Sequence, residues 1–314
     1  MIKPLVSILI PVYNRELFIA DCIDSALNQT FSNIEVVVID NASTDNTWNI
    51  CKKYEKQDAR VRIFRNNENI GPVKNWICCS QKARGKFSKI LFSDDLLDPD
   101  CISMMLRILE DSDISLVYCA ARIGKSQDES VIAYARKDNS KMSPRQFVNL
   151  VASNRAPVSP GAILIRTSDL LKNTHIEFDT PTPRDFSKNG AGPDVMISLL
   201  TAHEYSYVAN ISIPLVFFRS HAGSFSIENS NNDVMKGYQS VISQFLKINY
   251  GNSRWLDYLA YGWLQQIKFN RKWLNPREHL TEHGGGGSLK EIFDMLSHTF
   301  VHVANNFLKK TDPR

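Results

Sequence analysis

The chain has 314 residues, and several familiar signatures are missing from it. Its six cysteines (22, 51, 78, 79, 101 and 119) form no CxxC pair and no metal-ligand spacing. That excludes a zinc ribbon or a disulfide framework and reads as reduced thiols, most of them core filler, in a cytosolic setting. No apolar run approaches the length of about 18 residues that a membrane span needs. The opening MIKPLVSILIPVYN has an apolar run too short for a signal peptide and no small-residue cleavage site. No GxGxxG follows an apolar strand, which argues against a dinucleotide-binding dehydrogenase. A strong net charge is missing too: the formal balance of +4 does not point to nucleic acid. No internal repeat is visible.

What remains is ordinary globular composition, 43% hydrophobic and 22% charged. The length suits one large domain with an appendage, or two domains. In the first hundred residues, apolar runs alternate with amphipathic patterns. LVSILI (5–10), IEVVVID (34–40), VRIFRN (61–66) and FSKILFS (87–93) read as buried strands. ELFIADCIDSALNQ (16–29) and STDNTWNICKKYEKQ (43–57) read as helices, and NIGPVKNWICCSQKA (69–83) as a loop and a helix. Continuous apolar strands joined by helices imply a mostly parallel sheet covered on both faces. In such sheets ligands bind beyond the carboxyl ends of the strands. The polar segments there are PVYN, DNASTDN and SDD.

Beyond residue 100 the pattern loosens. CISMMLRILEDS and SPRQFVNLVAS read as helices, ISLVYCAARIG as a strand, and PVSPGAILIRTSDLL as a turn and a strand. The segment 177–194 reads as a loop, DVMISLLTAHEY as a helix and SYVANISIPLVFFR as a strand. From about 230 the chain turns helical, interrupted by a Gly-rich linker at 284–287. The division is therefore 1–105, 106–228 and 229–314.

The chemistry centres on KILFSDDLLDPD (89–100), which packs four aspartates into seven residues. Like charges held close cost energy unless something positive sits among them. Asp98 and Asp100 read as the start of the helix at 101, with Pro99 in its first-turn region. Asp94 and Asp95 sit tight against a strand end and read as metal or ligand contacts. Hard cations such as Mg²⁺ or Mn²⁺ want carboxylate oxygens and keep phosphates as co-ligands.

PLVSILIPVYNRELFIADCIDSALNQTFSNIEVVVIDNASTDNT, NENIGPVKNW and ILFSDDLLDP together resemble the N-terminal half of a family 2 glycosyltransferase of the bacterial polysaccharide or O-antigen type. The resemblance runs from about residue 4 to 105 and returns at GPDVMISL and FFRSHAGSFS. It implies a GT-A-like, Rossmann-type α/β fold with a helical C-terminal extension. It implies a nucleoside-diphosphate sugar donor, a glycan or lipid-linked glycan acceptor, and a divalent cation, Mn²⁺ or Mg²⁺. By the same resemblance, Pro11, Val12 and Tyr13 contact the nucleoside, and Asp40 reads the base and ribose. Asn41 stands where many members have a second acid. Asn69, Gly71 and Lys74 line the nucleotide. The acidic motif becomes Ser93, Asp94 and Asp95, with Ser93 in place of its first acid. Asp95 is then the metal ligand and Asp94 lies nearer the ribose or sugar. His221, with Ser224 and Ser226 nearby, completes the metal site, and Asp194 is the catalytic base.

The residue chemistry agrees with these roles. A departing diphosphate needs positive charge, which a metal, Lys74 or Arg219 supplies. The acceptor hydroxyl must lose a proton to a carboxylate free of metal. One base facing one leaving group predicts inversion at the anomeric carbon. Blander readings stand beside them: Asp194 as a helix cap, His221 as a surface residue. The spacings His279-x3-His283 and His298-x3-His302 resemble zinc pairs but lack a third ligand. The last apolar helix docks on the catalytic domain, lies on a membrane surface at the inner face of the plasma membrane, or pairs with another subunit. The rival functions are a non-catalytic scaffold that kept the fold and a sugar nucleotidyltransferase; the latter lacks its Gly-rich phosphate loop.

Overall fold

The computed structural model describes residues 3–178, 180, 185–186, 191–224, 231–270 and 275–299. Seven consecutive buried residues make each of two central strands, β1 (Val6–Val12) and β2 (Ile34–Asp40). A strand buried at every position needs cover on both faces. The other strands are β3 (Val61–Arg65), β4 (Phe87–Ile90), β5 (Leu96–Leu97), β6 (Ile114–Gly124), β7 (Ser130–Ala133), β8 (Ser140–Met142), β9 (Ile163–Arg166) and β10 (Tyr207–Arg219). Among the described residues they form one ten-stranded sheet in the order β3-β2-β1-β4-β9-β6-β10-β5, with β7 on β6 and β8 on β10.

The first four strands are parallel, as their helical crossovers require. The sheet then becomes mixed. β9 inserts antiparallel between β4 and β6, and β10 runs parallel to β6. One face carries α1 (Ile19–Leu27), α2 (Thr47–Gln57) and α4 (Cys101–Leu109), whose Ile19, Cys22, Ile23, Cys51, Met105 and Leu109 close the core over Val6, Ile8, Ile10, Val36 and Val38. On the other face α3 (Pro72–Gln81) packs on β1 and β2, with Cys79 Sγ reaching Val37 O at 3.5 Å. It is followed there by α6 (Thr167–Asn173), α7 (Pro193–His203) and α5 (Pro144–Ala152). α5 begins with a capping box: Ser143 and Gln146 each accept the other's backbone N–H.

Three details depart from the sequence pattern. β4 stops at Ile90, so Phe92 to Asp95 form a turn (Asp95 N–H to Phe92 O, 2.9 Å) instead of extending the strand. TSDLL, grouped with a strand, opens α6: Thr167 Oγ1 bonds Gly85 O at 2.7 Å and the chain turns there. Pro11 does not end β1, because a proline is tolerated near a strand's end, and Val12 O still accepts Asn41 N–H at 2.8 Å.

The chain divides into two compact units, Met1–Ile176 with Phe186–Val234, and Glu177–Asp185 with Met235–Arg314. The first contains the sheet. In the second, the helical stretch Asn231–Asn270 (α8) is broken at Gly251, whose φ of 77° suits glycine. Trp255, Leu259, Trp263, Leu280 and Met295 form that unit's core, with α9 (Pro276–Glu282) and a helical run at 289–299. The Gly284–Gly287 run, read as a linker, is hydrogen-bonded throughout its unit. Lys247 Nζ donates to Gly284 O (2.6 Å), Gly285 N–H to Leu280 O (2.9 Å) and Arg277 Nε–H to Gly287 O (2.9 Å). Residues 300–314, which include the end of the last apolar helix expected from the sequence, lie outside the described residues.

Candidate active site

The carboxyl ends of β1, β2, β4 and β10 deliver their following residues to one edge of the sheet. The turn after β4 presents Ser93 (6% exposed), Asp94 and Asp95 (7% exposed). Two adjacent, largely buried carboxylates repel each other. Burial, and then the neighbouring Asp94 charge, push the Asp95 carboxyl well above the usual carboxylate range. Positive groups converge in response. Asp95 Oδ1 accepts the Arg219 backbone N–H at 2.9 Å. Asp94 Oδ2 lies 3.0 Å from His221 Nε2 and 3.5 Å from Arg15 Nε.

The loop after β10 is tied down around these contacts. His221 N–H donates to Ser224 Oγ (3.0 Å), and Ser224 Oγ donates to Arg219 O (3.2 Å). Arg219 reaches Asp21 Oδ2 at 3.2 Å and lies 5.0 Å over the Phe18 ring. The His221 ring rests 4.4 Å from the same Phe18. Ser226 lies outside the described residues.

Arg15, Phe18 and Asp21 are site residues that the sequence reading passed over. Arg15 joins three loops: its N–H donates to Thr47 Oγ1 (2.8 Å), Nη1 to Asn14 O (3.0 Å) and Nη2 to Gly223 O (2.9 Å). A lone arginine directly after a strand's polar end was the available signal. Of the two residues that the resemblance assigns to the metal site, Asp95 and His221, the imidazole lies against the adjacent carboxylate, with His221 Nε2 3.0 Å from Asp94 Oδ2. Asp98 and Asp100 face elsewhere: Asp98 Oδ1 accepts Asp100 N–H (3.0 Å), and Asp100 Oδ1 accepts the Thr30 hydroxyl (2.9 Å).

On the nucleotide side, Pro11 and Val12 are buried in β1 and only Tyr13, 38% exposed, presents its side chain. Asp40 is fully buried; its carboxylate accepts Ser43 N–H at 3.2 Å and pairs with Arg65 Nε at 3.0 Å. Asn41 organises the loop opposite. Its Oδ1 accepts from Asn66 Nδ2 (2.9 Å) and Ile70 N–H (3.0 Å), and its Nδ2 donates to Asn69 Oδ1 (2.8 Å). Asn69 in turn accepts Gly71 N–H at 3.0 Å, and Gly71 takes φ 84° to open α3. Lys74, one turn into α3, is exposed.

Asp194 is 5% exposed at the second position of α7. Its Oδ1 accepts Gly192 N–H (3.0 Å) and Val195 N–H (2.8 Å). The capping role is thus present. α7 packs on β6 and on the Pro160–Ala162 turn that joins β9.

Among the described residues, no group of three or more His, Cys, Asp or Glu side chains is drawn together in metal-binding array. The local chemistry nevertheless fits a cation. Asp95 is a carboxylate held high by its burial and then by a second carboxylate beside it, with an imidazole 3.0 Å from that neighbour. Hard oxygen donors with one imidazole suit Mn²⁺ or Mg²⁺. Among the described residues no helix is long and apolar enough to cross a membrane.

Residues 7–171 match the family model described as Glycosyl transferase family 2. The chain is 37% identical over 147 residues to the putative glycosyltransferase EpsH of Bacillus subtilis, covering 45% of this chain and 42% of that protein. It is 39% identical over 132 residues to the chondroitin synthase of Pasteurella multocida, covering 41% of this chain and 13% of that one. The matched stretch thus spans less than half the length of these curated relatives. Among solved structures, S. aureus TarS 1–349 in complex with UDP-GlcNAc matches with a TM-score of 0.60 at 14% identity, covering 96% of this chain and 92% of that one. The mannosyltransferase PcManGT from Pyrobaculum calidifontis, in complex with GDP-Man and Mn²⁺, matches at 0.50 and 16%, covering 97% and 76%. These likenesses establish the GT-A fold.

Proposed function

This chain belongs to glycosyl transferase family 2, and on that premise we propose that it is a metal-dependent, inverting glycosyltransferase. It moves one sugar from a nucleoside diphosphate to a glycan or lipid-linked glycan in surface polysaccharide synthesis. The observation that carries the reading is the buried Asp94–Asp95 pair at the end of β4, ringed by Arg15, Arg219 and His221. Such a cluster suits a cation and a polyanion together. The structural neighbours bound to UDP-GlcNAc and to GDP-Man with Mn²⁺ support a nucleotide-sugar donor. The work is done on the cytoplasmic side, where the acceptor is met at the inner face of the plasma membrane.

Asp94, Asp95 and His221 would hold the cation, and a bound cation supplies Lewis-acid stabilisation of the diphosphate as it leaves. The chain's own residues do the rest. Arg15, Arg219 and Lys74 bring fixed positive charge toward the leaving group. Tyr13 and the loop fixed by Asn41 frame the nucleoside. Asp194, on the separate segment that opens α7, takes the acceptor hydroxyl's proton. A displacement from that side inverts the anomeric carbon.

Incubation with UDP- and GDP-linked sugars, with and without Mn²⁺, tests this. The expected result is cation-dependent nucleotide release and, by NMR, a product of inverted anomeric configuration. Retention, or no release from any donor with a competent acceptor, overturns it. The non-catalytic scaffold has no observation in its favour here: Asp95 and Asp194 are both retained.

A further inference from the structure

Lys89, the third residue of β4, is fully buried. Burying an ammonium is costly unless it is paired. Among the described residues no carboxylate lies in ion-pair range of it. Its Nζ donates instead to a backbone carbonyl, Gly161 O. The place of Gly161 in the fold gives that contact its meaning. Lys89 pairs with Ile8 of β1 and with Leu164 of β9. β9 runs antiparallel to β4, so the Pro160–Ala162 turn ahead of it lies at the carboxyl end of β4. That is the edge which carries Asp94 and Asp95.

Four elements meet at the turn. From β4, Lys89 holds Gly161 O; from β6, Cys119 Sγ reaches Ala162 O at 3.5 Å. From β10, the Phe218 ring lies so close that a Cβ on Gly161 would stand 3.0 Å from its Cε1. The next residue is Arg219, whose N–H bonds Asp95 Oδ1 at 2.9 Å. The fourth element is α7, which packs on the turn and opens with Asp194. Ser159 Oγ closes the turn by accepting Gly161 N–H at 3.2 Å.

The turn therefore touches both sides of the chemistry: the strand that bears on Asp95, and the helix that carries Asp194. An apolar side chain of similar volume at position 89 would serve the core at lower cost. What the ammonium adds is a directional, charge-assisted hydrogen bond that fixes one carbonyl. We propose that Lys89 is a positioning residue: through Gly161 O it pins the Pro160–Ala162 turn as a strut, which sets α7, and with it Asp194, against the Asp94–Asp95 turn. The strut rests on the contacts themselves. Its effect on turnover rests on the glycosyltransferase reading.

Hydrogen exchange and kinetics on the full chain test it together. In Lys89→Met, the amides of 159–163 and of the start of α7, 192–197, should exchange about 10-fold faster, while those of β1 and β2 keep their wild-type rates. The kcat for nucleotide release, from whichever UDP- or GDP-linked sugar the wild type uses, should fall about 10- to 100-fold with the affinity for UDP and Mn²⁺ unchanged. Gly161→Ala pushes the same turn against Phe218 and should give the same two changes; it carries the test if Lys89→Met does not fold. The two substitutions together should cost little more than either alone, because they act through one turn. An unchanged kcat in a folded variant, exchange that quickens uniformly across the chain, or wild-type exchange at α7 in both variants overturns the proposal. If exchange quickens as expected but the wild type releases no nucleotide from any donor, the strut stands and the glycosyltransferase reading fails.

Discussion

His221 Nε2 lies 3.0 Å from Asp94 Oδ2, and the His221 ring rests 4.4 Å from the Phe18 ring. The loop after β10 and the turn after β4 thus meet through one imidazole and one carboxylate. Residues that act as such a unit are not additive. His221→Ala should lower turnover about 10- to 100-fold, in the range seen when a partner of a metal-binding group is removed. Adding Asp94→Asn should cost little more. A double variant whose losses multiply would show that the two act separately.

Asp194 holds one oxygen on the N–H groups of Gly192 and Val195. Asp194→Asn keeps an oxygen for those bonds and removes the base. Turnover should fall about 10²–10⁴-fold while nucleotide binding, followed by thermal shift, is unchanged. Wild-type turnover would reduce Asp194 to a helix cap.

Asn41 stands where the family often places an acid, and its hydrogen bonds explain why an amide is needed here. It accepts at Oδ1 from Asn66 and Ile70 and donates from Nδ2 to Asn69. Asn41→Asp would set a carboxylate oxygen against Asn69 Oδ1. The loop that enters α3 should loosen, with a stability loss of about 2 kcal/mol in denaturant unfolding. An unchanged midpoint would mean that the amide is replaceable.

His279 and His283 are buried in the second unit, with His279 Nε2 3.0 Å from Leu259 O and His283 Nδ1 2.8 Å from His279 O. Burial, and then the His283 charge, hold His279 down at about 4; burial also holds His283 below its ordinary value. Both are buried neutral. The unfolded chain binds protons below about pH 6.5 and the folded one does not, so stability is full above that pH and is lost as pH falls toward 4. The loss should be on the order of 2 kcal/mol between about pH 7 and pH 4.5, read by Trp255 and Trp263 fluorescence. His279→Gln should flatten the slope. A slope that the variant leaves unchanged would place the titration elsewhere.

The parts of this fold that were legible in the sequence are those built from local contrast. β2 is buried at every position, and its apolar run has the same bounds, 34–40. The crowding of Asp94 and Asp95 is likewise a local signal, because only a nearby cation relieves it. The illegible parts depend on contacts distant in sequence. Nothing in ILIR says that β9 inserts antiparallel between β4 and β6, since its side chains are equally apolar either way. Arg15 becomes a site residue through Asp94 and Gly223, 208 positions away for the latter. Gly251 reads as one more residue of a helix, and only its φ of 77° shows the break.

The central claim is that Asp94 and Asp95 gather a cation and a nucleotide at the end of β4. The direct measurement is the Tm of the wild type and of Asp95→Asn with UDP or GDP, each with and without Mn²⁺. A nucleotide at about 100 times its Kd adds about 2.7 kcal/mol and should raise Tm by about 5 °C. The account predicts that rise for one nucleotide, only with Mn²⁺, and its loss in Asp95→Asn. A rise that ignores Mn²⁺, or that survives Asp95→Asn at full size, would contradict it.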